Sequence, residues 1–279
     1  MREITIAVVQ MAPQLGRVEE NLSTMVKLVD QICTEQKKVD LIVFPELATT
    51  GYELGPDYPE VAERVPGGQS THLLAERAKD HSVHILFGLV TKEKVESILY
   101  NSAVLIGPAG EILGEYHKVH LQGEERIALR AGYRLPVFET DLGQVGILLG
   151  WDLAFPEAAR SLALDTAELL CVCASWPCAL DQDQEAAIDE WRTYLHARAL
   201  ENSIYVAAAN RIGEDQTYRF FGDSRIVGPR GETYVFVDEE ASAYAVASVD
   251  LDAIRKTREE LQHIQCREPQ VYRNLVRKY

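Results

Sequence analysis

The sequence predicts an α/β fold, with two sheets packed together and helices outside. Three observations lead there. Short apolar, β-branched runs alternate with helical patterns along all 279 residues. Several of those runs are apolar on both faces, as strands covered on both sides must be. The same turn, G-P-x-G-E, occurs once in each half of the chain.

In order, the chain opens on a strand over 4–10, and a helical pattern over 21–35 leads to a second strand at 41–44 that stops at Pro45. A helix at 71–79 precedes strands at 83–90 and 103–106. Gly107-Pro108-Ala109-Gly110-Glu111 then folds the latter back as a hairpin. The strand 144–149 runs through Gly150 into a helix at 157–165. There Glu157 follows Pro156 beside the positive end of the helix dipole. Strand 169–175, helix 184–201 and strand 204–209 follow. A second hairpin is built on Gly228-Pro229-Arg230-Gly231-Glu232, before strands at 233–237 and 244–249 and a helix at 251–265. No linker rich in Gly, Pro or Ser divides the chain, so residues 1–279 read as one domain. The repeated turn hints at internal pseudo-symmetry, although no fixed period runs through the sequence.

With 47% apolar and 25% charged residues, the chain can bury a large core. Its 43 acids against 28 bases leave a net charge of −15. That charge is poorly suited to phosphate backbones or anionic lipid, so nucleic acid and membrane are not expected partners. There is no apolar run approaching the ~18 residues of a membrane span, and no signal-peptide pattern. Five cysteines, two of them (Cys171 and Cys173) inside an apolar strand, fit a reducing compartment. A soluble, cytoplasmic protein is expected.

Three segments place charge where chemistry happens. Leu41-Ile42-Val43-Phe44-Pro45-Glu46 sets a carboxylate just beyond a buried strand, the end at which α/β sheets bind ligands. The plainer alternative is that Glu46 caps a helix or pairs with an arginine. Tyr116-His117-Lys118-Val119-His120 sets a lysine at a strand end, either a catalytic cation or a solvated surface group. His117 and His120 lack a third ligand at metal-binding spacing, so no metal is expected. The third segment, Gly146 to Glu157, runs strand, tight turn, helix, the geometry that presents a nucleophile at a sharp elbow. Glycine stands at that turn, where it tolerates unusual φ/ψ.

Together and in this order, the segments resemble the nitrilase superfamily of carbon–nitrogen hydrolases. That family has a Glu after one strand, a Lys after a later one and a Cys in a motif like G-x-x-x-C-x-D-x-x-F-P-E. This chain supplies F-P-E ending at Glu46, H-K-V-H-L around Lys118 and G-I-L-L-G-W-D-L-A-F-P-E ending at Glu157. Glu125 stands where the family often has a second glutamate. Further likeness runs through Arg198-Ala199-Leu200-Glu201-Asn202, Phe221-Gly222-Asp223-Ser224-Arg225 and Arg267-Glu268-Pro269, covering about 4–272.

The resemblance implies a four-layer α-β-β-α sandwich, a small amide or nitrile as partner, no metal or organic cofactor, and a homodimer or larger homo-oligomer. Helix 184–201 and the stretch from about 251 would lie in its contacts. It makes Glu46 the general base and Lys118 the oxyanion holder, helped by the Trp151 backbone N–H. Glu125 would position the substrate nitrogen or the lysine. Tyr52 and Trp176 would be pocket walls, or else core packing. It also puts the cysteine nucleophile at Gly150, which has no sulfur. Cys171 and Cys173 read as buried core. Cys178 follows Trp176-Pro177 and reads as a loop residue near the pocket. Two functions fit: an amidase-type hydrolase from which the cysteine has been removed, or a natural pseudoenzyme that binds a small amide, nitrile or carboxylate.

Overall fold

The computed structural model describes residues 2–95, 97–238 and 241–277. The first half runs β1 (Glu3–Gln10), α1 (Val18–Glu35), β2 (Leu41–Val43), α2 (Tyr58–Val61), α3 (Gln69–His81), β3 (His84–Lys92), β4 (Leu99–Ile106), β5 (Ile112–His117) and α4 (Glu125–Ala128). The second continues with β6 (Val137–Thr140), β7 (Gly143–Leu149), α5 (Pro156–Leu164), β8 (Leu169–Ala174), β9 (Pro177–Ala179), α6 (Gln184–Asn202) and β10 (Tyr205–Asn210). Then come β11 (Ile212–Glu214), β12 (Tyr218–Phe221), β13 (Arg225–Val227), β14 (Thr233–Phe236), β15 (Ala243–Asp250) and α7 (Asp252–Leu261).

Two six-stranded sheets form, ordered β15-β1-β2-β3-β4-β5 and β14-β13-β10-β8-β7-β6, with a small sheet β11-β12-β9 beside them. Both large sheets follow one plan. Three central strands are parallel (β1, β2, β3 and β7, β8, β10), and an antiparallel strand closes one side (β15 or β6). On the other side the chain returns through an antiparallel strand and a hairpin. The paired turns match bond for bond. Gly107 N–H donates to Glu111 O at 2.8 Å and Gly228 N–H to Glu232 O at 2.8 Å. The carboxylates of Glu111 and Glu232 accept from Ala109 and Arg230 N–H at 3.0 and 2.9 Å. The pseudo-symmetry hinted at by the sequence is therefore architectural.

Strand alternation sorts the apolar residues into layers. Ile6 and Val8 on β1 meet Ile147 and Leu149 on β7, with Cys171, Cys173, Ala207 and Ala209, in a core between the sheets. Their neighbours Ala7 and Val9 face outward onto Leu22, Met25 and Val29 of α1 and Leu74 of α3. Leu148, Val172 and Val206 do the same for Leu162 of α5 and Trp191 and Leu195 of α6. The expected α-β-β-α layering is what forms.

Several boundaries differ from the sequence reading. α1 starts at Val18, ahead of Asn21, whose side chain ties down the preceding loop. Its Oδ1 accepts from Gln14 N–H at 2.7 Å and its Nδ2 donates to Gln14 O. α7 stops at Leu261, where Gln262 turns left-handed (φ 54°) and its N–H closes on Arg258 O at 3.0 Å. Strands β6, β9, β11 and β12 were not foreseen. They are three or four residues long, too short for alternation to show. No helix among the described residues is long and apolar enough to cross a membrane.

Candidate active site

Glu46, Lys118 and Glu125, which lie up to 104 residues before Gly150 in the sequence, meet it at one edge of the two sheets. Glu46 follows β2, Lys118 follows β5, Glu125 opens α4 and Gly150 follows β7. These are the ends at which parallel strands leave backbone and side chains free for ligands.

Lys118 is the centre. Its Nζ donates to Glu46 Oε1 at 2.7 Å and to Glu125 Oε2 and Oε1 at 2.8 and 3.1 Å, and all three side chains are at most 1% exposed. Two carboxylates and one ammonium out of water carry a large desolvation cost, which only a full set of donors can offset. The fold supplies them. Asn101 on β4 is fully buried and its Nδ2 donates to both acids, at 2.8 Å to Glu46 and 2.6 Å to Glu125. Ser175 N–H reaches Glu46 Oε2 at 2.9 Å, while its hydroxyl donates to Glu46 O at 2.9 Å. Gln122 N–H (3.2 Å) and the Tyr52 hydroxyl (3.4 Å) donate to Glu125 Oε2. Sequence reasoning missed Asn101 and Ser175. The one signal for Asn101 was a polar Asn-Ser pair leading into an apolar strand.

Burial pushes the Glu46 carboxyl above the usual glutamate range. Lys118 opposes this and the nearby Glu125 charge reinforces it. For Lys118 burial works against the charge, but Glu125 and Glu46 outweigh it and hold the ammonium well above the usual lysine range. A cation thus sits beside a carboxyl whose proton affinity is raised, the property a general base uses. Burial also raises the Tyr52 phenol, keeping it a neutral donor.

Gly150 begins the tight turn after β7, at φ +43°, a left-handed conformation that side chains disfavour. A Cβ there would come into hard contact with Glu46 Oε2. The turn is braced from below by buried Asp152. One oxygen accepts from Tyr116 OH (2.7 Å) and Leu149 N–H (3.2 Å), the other from His120 N–H (2.8 Å) with His120 Nδ1 also at 2.8 Å. Asp152 was not singled out by the sequence. His120 stacks on Phe155 (3.7 Å between centroids) and His117 on Tyr100 (4.0 Å), so the two histidines have separate packing roles.

A cavity of about 350 Å³ opens above the cluster, walled by Tyr52, Trp151, Trp176 and Tyr218, with Glu46 and Lys118 at its base. Tyr52 and Trp176 both line this cavity. Trp151 lines the cavity directly after Gly150. Glu125 is not in the wall but behind Lys118, which fits holding the lysine rather than touching a ligand. The expectation for Cys178 is corrected: it lies on β9, where alternation gives the cavity to Pro177 and Ala179. Its thiol points instead at Ala179 O and Gln182 O, 3.5 and 3.8 Å away, and burial raises its pKa. Cys171 and Cys173 lie in the inter-sheet core, as read. A wider groove of about 630 Å³ runs beside Arg192 and Asp223; its two arginines are paired, Arg192 with Asp223 and Arg219 with Glu214, and Glu185 and Asp238 also line it.

A family description, carbon-nitrogen hydrolase, matches residues 5–259. The chain is 38% identical over 273 residues to a probable nitrilase of Schizosaccharomyces pombe, covering 97% of this chain and 98% of that one. It is 32% identical to a 2-oxoglutaramate amidase of Bacillus subtilis, over 92% and 95% of the two chains. Among solved structures, a carbon-nitrogen hydrolase from Helicobacter pylori superposes with a TM-score of 0.93 at 23% identity, covering 99% of both chains. An amidase mutant from a Nesterenkonia species, with the acetamide moiety of fluoroacetamide added at its active-site cysteine, gives 0.82 at 26% identity over 97% and 96%. On the match across residues 5–259 and the near full-length relatives, this chain belongs to the carbon-nitrogen hydrolase family, within the nitrilase superfamily.

Proposed function

We propose that this chain is an amidase-type carbon–nitrogen hydrolase scaffold that binds a small amide but lacks its nucleophile, Gly150 standing at the cysteine position. The observation that carries this reading is the buried Glu46–Lys118–Glu125 cluster at the base of a cavity also lined by Trp151, the residue after Gly150.

With a thiol at residue 150, Glu46 takes its proton as sulfur attacks the amide carbonyl. Lys118 and the Trp151 N–H hold the oxyanion, Glu46 returns the proton to nitrogen, and the C–N bond breaks to release ammonia. Glu46 then deprotonates a water, which attacks the thioester to give the carboxylate and restore the thiol. Glycine offers no atom for the first bond. Direct attack by water forgoes an intramolecular nucleophile, worth roughly 7–11 kcal/mol at the extreme, so the chain itself turns over negligibly. Nitriles remain a second substrate class, no cofactor is invoked, and the protein is proposed to work as a homo-oligomer in the cytoplasm.

One observation favours the alternative, a natural pseudoenzyme: Glu46 Oε2 stands against the space a Cβ at residue 150 would take. Ammonia release from a panel of small amides and nitriles separates the two. The Gly150→Cys variant is expected to release ammonia where the parent does not. A folded variant that binds an amide yet releases none would establish the pseudoenzyme.

A further inference from the structure

We infer that the cavity selects an amide whose far end is cationic or neutral and discriminates against one ending in a carboxylate, with Glu190 setting that preference. The inference rests on the amide-binding reading above and adds the class of ligand. Three charged residues line the cavity: Glu46 and Lys118 at the base, Glu190 at the rim. Lys118 is committed, with three carboxylate oxygens within 3.1 Å of Nζ. Among the described residues, then, the one cation in the lining lies at the base, where the amide carbonyl would sit, and none stands at the rim to meet a carboxylate at the ligand's far end.

The nearby guanidiniums are turned away. Arg219 follows the wall residue Tyr218 on β12, so alternation carries it to the opposite face, where Nε meets Glu214 at 3.0 Å. Arg211 is buried against Asp215 at 2.8 and 3.1 Å with its guanidinium 4.0 Å from the centre of the Phe220 ring. Arg192, on α6 close to Glu190 in sequence, is paired with Asp223 at 3.0 and 3.3 Å.

Glu190 itself is exposed on α6 and sets its carboxylate at the mouth. Its Oε1 accepts from the Tyr194 hydroxyl at 3.1 Å, which orients the group, and no cation is bonded to it among the described residues. Tyr52, Trp151, Trp176 and Tyr218 supply ring faces that attract an ammonium group as well as alkyl chain. The net charge of −15 adds a field of the same sign at longer range.

The test is a ligand-observed NMR titration of the chain with three amides of similar length: 5-aminopentanamide, hexanamide and adipamate. The expected order of affinity is 5-aminopentanamide, then hexanamide, then adipamate. Glu190→Gln should narrow the cation-to-anion ratio roughly two- to fivefold, the scale of an exposed ion pair. Glu190→Lys should narrow it further, and added salt should narrow it in the parent. Adipamate binding as tightly as 5-aminopentanamide, or a ratio indifferent to Glu190, overturns the inference and leaves the amide site standing. Binding of none of the three overturns both.

Discussion

One ammonium cannot fully satisfy two buried carboxylates, and the residue-scale behaviour of the site follows from that. Glu46 is held above its ordinary pKa, so between the two values the folded chain keeps a proton that the unfolded chain releases. The stability this contributes is complete below about pH 4.3, the ordinary glutamate value, and is lost as pH rises through the folded-state value. The proton belongs to the coupled cluster rather than to one oxygen. Lys118, raised in the fold, contributes stability that survives until pH climbs past about 10.4. Glu46→Gln keeps a neutral side chain of the same shape. Its unfolding free energy is expected to gain on the parent's as pH rises from about 4.3 towards 8, measured by urea denaturation across pH. A gap constant with pH would mean that Glu46 is simply ionised throughout. Glu46, Lys118 and Gly150 were legible because each sits in a short motif at a strand end, and Glu125 because the family resemblance has a second glutamate at its place after Lys118. Asn101 and Ser175 were not: their roles come from bonds to Glu46 across 55 and 129 residues, which no local pattern records.

At the scale of elements, the turn after β7 is joined to the segment around Lys118 through a single side chain. Asp152 takes donors from Tyr116 and His120 on one side and Leu149 on the other. Asp152→Asn replaces an acceptor by a donor that faces other donors, leaving at least one buried N–H or O–H unpaired. It is expected to lower unfolding stability by about 1–3 kcal/mol and to weaken amide binding together with it. A shifted denaturation midpoint with unchanged affinity would show that the brace does not reach the site. Legibility at this scale tracks length. β1, β3, β8 and β10, six to nine residues of mostly apolar sequence, were read nearly to their ends. β9 and β12 have three and four residues, and they carry Pro177 and Tyr218 to the cavity wall. Two of the four missed strands are thus ones that shape the pocket.

For the whole molecule, the two halves share a strand plan, yet the chemistry is divided between them. The first supplies Glu46, Asn101, Lys118 and Glu125, and the second supplies Gly150, Trp151 and Ser175. The repeated G-P-x-G-E turn foreshadowed that plan, but the division needed three-dimensional pairing to see. Beyond the layered core, Val271, Leu275 and Val276 near the C-terminus are 70%, 62% and 89% exposed in the single chain. Covering such side chains stabilises association, and a homodimer or larger assembly is expected by light scattering. Leu275→Glu with Val276→Glu should lower the observed mass, and an unchanged monomer mass for the parent would contradict the proposal.

The reading of the site comes down to residue 150, and trapping its acyl intermediate tests that most directly. The Gly150→Cys variant, quenched during incubation with a small amide and mapped by peptide mass spectrometry, is predicted to carry an acyl thioester at residue 150. Cys33, Cys171, Cys173, Cys178 and Cys266 should stay unmodified, as in the parent chain. A folded variant with no acyl group at residue 150 on any amide tested would contradict a hydrolase site that lacks only its nucleophile.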